Sequence, residues 1–355
     1  MNNNKPLYHL SLSVLLSVVF SILLLSACRK DPALQNDKVL LPGENCAVGL
    51  EKYTAPSTWP QLNWECPSCI NGCEYYRSTR PVSNSNPVFN QSNPYQIAFL
   101  RYNRLTYTDT TFLFDFCTGK LTPYPNLSLI ADIGTDNTLY FINQSGYLCT
   151  MKPNGDSLFQ SNDNKSSGRM QQFLSPNNHY LAEIGPYTYQ TRDIHDNKHY
   201  TTTIPIRYDK LTWVNDYTIA FVMHSSKGDS LFTLDLRSSA TQFLTFISDG
   251  RTDTVLGVND STVRRMCYNP NNQSLYWTSN YYIMKYDMLT KTKSVVRECH
   301  FSLNFLDMDY SPRLRKFLLE GVESSRFSPC DGARDVSIYM MNEDGSDLRR
   351  IEFPE

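Results

Sequence analysis

Six times along the chain a turn-forming pair is followed by a β-rich run: Asn93-Pro94, Thr135-Asp136, Ser175-Pro176, Asn215-Asp216, Asn269-Pro270 and Ser311-Pro312. Measured at the second residue of each pair, at 94, 136, 176, 216, 270 and 312, the steps are 42, 40, 40, 54 and 42. A period near 40 that yields only strands restricts the fold more than any other feature, because one small sheet of that length cannot bury both its faces and must stack on copies of itself. Such units close into a ring of blades. The expectation is an all-β, six-bladed β-propeller over residues 88–355, with its longest insertion between the fourth and fifth repeats, where the step reaches 54.

Each pair is followed by a short apolar strand, read as the second of its blade. These are Ile97–Leu100, Leu139–Ile142, Tyr180–Ala182, Ile219–Val222, Leu275–Trp277 and Phe317–Leu319. Third strands follow and end on an acid or amide, at Asp115, Asp193, Asp235, Asp287 and Asn342, residue types that close tight turns by bonding nearby backbone. Thr118-Gly119, Asn154-Gly155 and Asp344-Gly345 then supply hairpin turns that need positive φ. The 23 tyrosines and 18 phenylalanines, with charged residues at 19%, suit many half-buried strands. The last predicted strand falls almost at the C-terminal residue, so closure depends on the terminal blades, and a strand from residues 46–90 is available to help.

Two copies, Ser175-Pro176-Asn177-Asn178 and the run from Ile338 to Ile351, resemble repeats of the TolB family of periplasmic β-propellers. The resemblance covers roughly residues 88–353, with degenerate copies. It implies a TolB-like ring and, by analogy with a family that takes part in envelope-spanning complexes, a role in assembly.

At the other end, a polar stretch with Lys5 precedes an apolar run from Leu10 to Leu25, then Leu25-Ser26-Ala27-Cys28 and an abrupt Arg29-Lys30-Asp31. That is the order of a secretory signal. The run is interrupted by serines and shorter than the ~20 residues a spanning helix needs. Leu-Ser-Ala-Cys closely resembles the bacterial lipobox, which implies cleavage before Cys28 and lipid on its sulfur. More than one acyl chain gives stable attachment. Arg29 in place of an aspartate implies, by the family's sorting rule, the outer membrane, facing the periplasm or the cell surface. Residues 1–27 are then signal peptide, 28–45 a polar tether and 46–87 a Cys-rich segment.

Cys46, Cys66, Cys69 and Cys73 are candidates for disulfides, since an exported segment with little core gains most from cross-links. Zinc thiolates or free thiols are the alternatives. Cys117, Cys149, Cys267 and Cys299 lie in or near predicted strands and read as core residues. His195 and His199 fall in a blade turn, and the acidic run from Asn342 to Asp347 lacks the final glutamate of a calcium loop, so no metal and no cofactor is expected. Lys5 leaves with the signal, so of the chain's 33 basic residues 32 face 35 acidic ones, a near balance that gives nucleic acid no electrostatic hold. The familiar hydrolase motifs, such as a Gly-x-Ser-x-Gly elbow, are missing from the sequence, and no catalytic residue is assigned.

Two functional classes remain. The first is a non-catalytic binding or assembly module of the cell envelope, held to the membrane through Cys28 and engaging an envelope protein or glycan. The second is a propeller hydrolase or lyase acting on envelope or imported glycans or peptides. For the first, the connections between second and third strands and between blades share one face, and such loops carry recognition. Tyr102, Arg104, Tyr107, Tyr187, Tyr189, Arg264, Arg265 and Arg326 are the candidates there, because Tyr and Arg are favoured at binding hot spots.

Overall fold

The computed structural model describes residues 46–56, 82–103, 105–124, 129–143, 147–156, 159–160, 171–184, 189–193, 199–202, 210–225, 228–247, 263–279, 282–298, 303–323 and 335–354. Helix α1 (Cys46–Lys52) and strand β1 (Thr54–Pro56) come first. Five runs of four strands follow. They are β2 (Val82–Phe89), β3 (Gln96–Asn103), β4 (Thr108–Asp115), β5 (Lys120–Tyr124); β6 (Leu129–Ile133), β7 (Leu139–Ile142), β8 (Leu148–Met151), β9 (Phe159–Gln160); β10 (Gln171–Leu174), β11 (Tyr180–Ile184), β12 (Tyr189–Asp193), β13 (His199–Thr202); β14 (Leu211–Asn215), β15 (Thr218–Ser225), β16 (Gly228–Asp235), β17 (Ala240–Phe246); and β18 (Arg265–Asn269), β19 (Ser274–Thr278), β20 (Tyr282–Asp287), β21 (Thr292–Glu298). The chain ends with β22 (Leu303–Ser311), β23 (Lys316–Glu323), β24 (Asp335–Asn342) and β25 (Arg349–Ile351).

Each of the five runs is an antiparallel sheet in chain order, one blade. The expectation of a six-bladed propeller is corrected here: the propeller has five blades. Five blades are built from four consecutive strands, and the remaining strands form a different unit, a five-stranded closing sheet in the order β1-β25-β24-β23-β22. Both ends of the chain contribute to it. The reason is β25, only three residues long, which leaves an open edge that β1 covers in register from Thr54↔Ile351 to Pro56↔Arg349. An exposed edge is a liability, and covering it also ties the two ends together. The first blade starts at Val82, so the propeller draws on residues before 88.

The first strands β2, β6, β10, β14, β18 and β22 pack on one another in that order, and β22 returns to β2. Between these inner strands and the rim, apolar layers fill the gaps between neighbouring sheets. β19 shows why the repeat reads as a continuous apolar run: all five of its residues are buried. Alternation sends Leu275 and Trp277 toward the fourth blade, where they meet Ala220, Val222 and Leu231, and sends Tyr276 toward Phe305, Tyr310 and Phe317 of the closing sheet. Truncating a buried side chain as large as Trp277 costs about 3–5 kcal/mol.

The expected turn chemistry is present. Asp115, Asp235 and Asp287 each end a third strand, and one carboxylate oxygen of each accepts two backbone N–H groups just ahead: Cys117 and Thr118, Arg237 and Ser238, Leu289 and Thr290. The acidic run after Asn342 likewise joins β24 to β25, with Asp344 accepting the Ser346 N–H at 2.9 Å.

The seam between the closing sheet and the first blade is clasped by the N-terminal segment. Gly49 lies against the Phe116 backbone with no room for a Cβ. The Tyr53 ring meets Phe114 edge-on at 5.2 Å, and the Tyr53 carbonyl accepts the Glu352 N–H at 2.8 Å. Arg349 donates to the Thr54 hydroxyl and carbonyl at 2.9 and 2.8 Å. Phe353 then stacks on Phe99 at 4.1 Å. Cys46 is disulfide-bonded, as the cysteine-rich segment led one to expect. So is Cys117, which the sequence reading had placed among the core residues; Cys149 and Cys267 are free and buried.

Candidate functional site

Most of the connection from β3 to β4 is strand, because pairing continues to Asn103↔Thr108, and residues 105–107 are the described part of its tip. Its tip is ordered from below. The Asn103 side-chain oxygen accepts the N–H groups of Leu105 at 2.9 Å and Thr106 at 3.3 Å, and the hydroxyls of Thr106 and Thr108 lie 2.7 Å apart. Tyr107 is held at φ 56, a left-handed backbone that a bulky residue adopts at a cost of about 1–2 kcal/mol. The result is two large side chains turned outward: Leu105 is 77% exposed and Tyr107 80%. Folding gains little from burying either of them.

The base of the hairpin is rigid. The Arg101 guanidinium lies 4.9 Å from the Phe112 ring centroid and 5.5 Å from that of Phe353, and its Nε donates to Asn84 at 2.9 Å. Burial pulls its pKa below the ordinary arginine value. Tyr102 sits beside it on β3, half-buried and paired with Asp109. Of the remaining sequence candidates, Tyr189 opens β12, Arg264 precedes β18 with its N–H on the Thr278 carbonyl at 2.9 Å, and Arg265 begins β18. Arg104, Tyr187, Arg326, Cys28, Cys66, Cys69, Cys73, His195 and Cys299 lie outside the described residues. The structure thus brings Tyr102 and Tyr107 onto one hairpin and puts Arg265 elsewhere, at the inner strands.

There Arg265 Nε meets Asp307 Oδ1 of β22 at 2.9 Å. Around this pair are three carboxyls that the sequence reading missed, Glu320 buried and Asp132 and Asp309 half-buried. Asp309 on β22 accepts the Phe89 N–H of β2 at 2.7 Å and its neighbour Tyr310's N–H at 2.8 Å. Asp132 on β6 accepts the Ile133 N–H at 2.8 Å and the Leu174 N–H of β10 at 3.3 Å. Glu320 on β23 accepts the Asn86 N–H at 2.7 Å, where β2 bulges and Asn86 takes φ 49. Each carboxyl therefore bonds the inner strand of the next sheet around the ring.

Burial sets their titration. Desolvation pushes Asp132 up to about 7, with the charge of Asp309 adding to it, against the opposing pull of its backbone donors and Arg265. Asp309 is pushed to about 6 mainly by burial, and Glu320 to about 7 by burial and Asp307. Cys267 lies fully buried nearby, its thiol pushed well up by burial. A signal for two of the four acids existed in the repeats: Asp132-Ile133-Gly134 and Asp309-Tyr310-Ser311 place an aspartate two residues before the first turn. Among the described residues no group of His, Cys, Asp and Glu is arranged to hold a metal ion.

No protein-family model matches the chain, and no curated protein matches it. Solved structures do. A TolB candidate from Agrobacterium tumefaciens aligns with TM-score 0.53 and 14% identity over 68% of this chain and 87% of its own. An oligogalacturonate lyase in complex with manganese gives TM-score 0.53 and 11% identity over 78% and 80%. A luciferin-regenerating enzyme gives 0.50 and 12% over 78% and 92%. The chain also matches the tricorn protease, of which it spans only 26%. The fold is an all-β propeller with TolB-like neighbours. At these identities the likeness carries the fold alone, since one propeller scaffold serves binding proteins and enzymes alike.

Proposed function

We propose that this chain is a lipid-anchored protein of the bacterial cell envelope whose propeller is a non-catalytic binding module for an envelope protein or glycan. The observation that carries the reading is the hairpin tip of the first blade. A backbone strained at Tyr107 and stapled by Asn103 holds Leu105 and Tyr107 out in water, an arrangement that favours recognition over stability. Anchoring through Cys28 rests on the Leu25-Ser26-Ala27-Cys28 sequence, and the outer membrane on Arg29.

The inner carboxyls bear on the rival reading, a hydrolase or lyase. Groups titrating near neutrality are candidates for acid–base chemistry. In Asp132 and Asp309, however, both oxygens already accept backbone N–H groups, which makes them fasteners between sheets. The test is capture of cross-linked partners from the native envelope by the lipidated protein and by its Leu105→Ala/Tyr107→Ala variant. The variant is expected to lose most of the captured partner at an unchanged Tm. Undiminished capture would sink the reading, and so would turnover of an envelope glycan that Asp132→Asn abolishes.

A further inference from the structure

The outer strands of the fourth and fifth blades are built to keep apolar side chains on the rim. In β17 the pairing passes from Phe232↔Phe243 to Leu231↔Thr245, so Leu244 is an extra, bulged residue. Simple alternation would send Phe243 and Phe246 to opposite faces; the bulge puts them on one face, with ring centroids 5.0 Å apart. They end an aromatic ladder that leaves the core through Phe221 and Phe232 at 5.7 Å and reaches Phe243 at 5.5 Å. Phe243 is 46% exposed and Phe246 52%.

The next blade repeats the device. In β21 the pairing passes from Met284↔Val295 to Ile283↔Arg297, which bulges Val296, and Val295 is 51% exposed. Leu289, in the turn before β21, is 66% exposed. Lys293 Nζ donates to the Phe246 carbonyl at 2.6 Å, so the two rims adjoin. Four of the seven exposed large hydrophobics among the described residues lie on this stretch. Its charge is positive: residues 235–246 and 285–298 hold Arg237, Lys285, Lys291, Lys293 and Arg297 against Asp235, Asp287 and Glu298. Bulged edges are poor templates for an added strand, which disfavours a second copy or a β-strand ligand. Apolar side chains set among lysines suit an anionic lipid surface, where the ammonium groups reach phosphate while their stems and the neighbouring rings sit in the headgroup layer.

We propose that the rim of the fourth and fifth blades rests on the anionic phospholipid surface of the membrane, with Phe243, Phe246, Leu289 and Val295 at the headgroup–acyl boundary. The proposal rests on lipid anchoring at Cys28. The 17 residues from Arg29 to Asn45 span at most about 60 Å when extended, so the anchor keeps the propeller at the bilayer. The rim contact fixes which side faces it and leaves the first-blade hairpin free for a partner.

The test uses the lipidated full chain in vesicles of phosphatidylethanolamine and phosphatidylglycerol, some carrying acyl-brominated lipid. Tryptophan is introduced as Phe246→Trp or, for comparison, as Leu105→Trp, and each is read as a difference from the parent protein. Quenching of the Phe246→Trp signal at least twice that of Leu105→Trp is expected, with loss of the excess in Lys291→Glu/Lys293→Glu, whose Tm should match the parent's. Equal quenching in protein that floats with the vesicles would overturn the rim proposal and leave anchoring standing. Protein that fails to float defeats anchoring and the proposal together. A blue shift of the new tryptophan that grows with protein concentration in the absence of vesicles would assign the rim to self-association instead.

Discussion

Replacing Glu320 with glutamine keeps the side chain's shape and an oxygen able to accept the Asn86 N–H, now 2.7 Å away, but removes the titration. Burial and Asp307 raise the Glu320 carboxyl from 4.5 to about 7. The folded state therefore holds this proton more tightly than the unfolded chain. Its stabilising effect is complete below about pH 4.5, where both states are protonated, and is lost as pH rises through about 7. A shift of that size corresponds to about 3 kcal/mol, at roughly 1.4 kcal/mol per pH unit. Glu320 is only 7% exposed, so little of this is screened by solvent. Urea unfolding of the wild type and of Glu320→Gln at pH 5 and pH 8 reads the difference. The variant's stability relative to wild type should rise by about 2–3 kcal/mol between the two pH values, the rest of the effect being already lost at pH 5. At pH 5 the two proteins should differ by less than about 1 kcal/mol, the scale of one altered hydrogen bond. Parallel pH profiles would refute the reasoning, because they would mean that the buried carboxyl is not under the desolvation that its surroundings impose.

Three further outcomes follow from particular contacts. Gly49→Ala drives a Cβ into the Phe116 carbonyl oxygen, so α1 must shift off the first blade, with an expected loss of about 1–3 kcal/mol in thermal unfolding and faster hydrogen exchange in β1 and β25. Reducing the disulfides that engage Cys46 and Cys117 should lower stability by about 2–4 kcal/mol, measured in denaturant with and without reductant. Tyr107→Gly relieves the φ 56 backbone while adding glycine's chain entropy, so Tm should move by no more than a few degrees although partner capture falls.

The second strands were legible because each joins a turn pair to an apolar run that is buried on both faces. Ile97–Leu100 falls inside β3, Ile219–Val222 inside β15 and Phe317–Leu319 inside β23. The closing sheet was not legible. Thr54–Pro56 carries no alternation and pairs only because β25 needs a neighbour nearly 300 residues on, a relation with no local trace. The site was half legible: Tyr102 and Tyr107 do lie on one hairpin, but the exposure of Leu105 depends on where strand pairing stops. The inner carboxyls had a repeat signature in Asp132 and Asp309, whereas the roles of Asp307 and Glu320 come from the pairing of β22 with β23 and β2.

The central claim is that the first-blade hairpin is where a partner is held. A photo-cross-linking residue placed at Leu105 in the lipidated protein, in cells, tests it most directly, with the same residue at Asn177, in the turn between β10 and β11, for comparison. A discrete adduct from position 105, absent from 177, is the predicted result. Adducts from 177 with none from 105 would contradict the account.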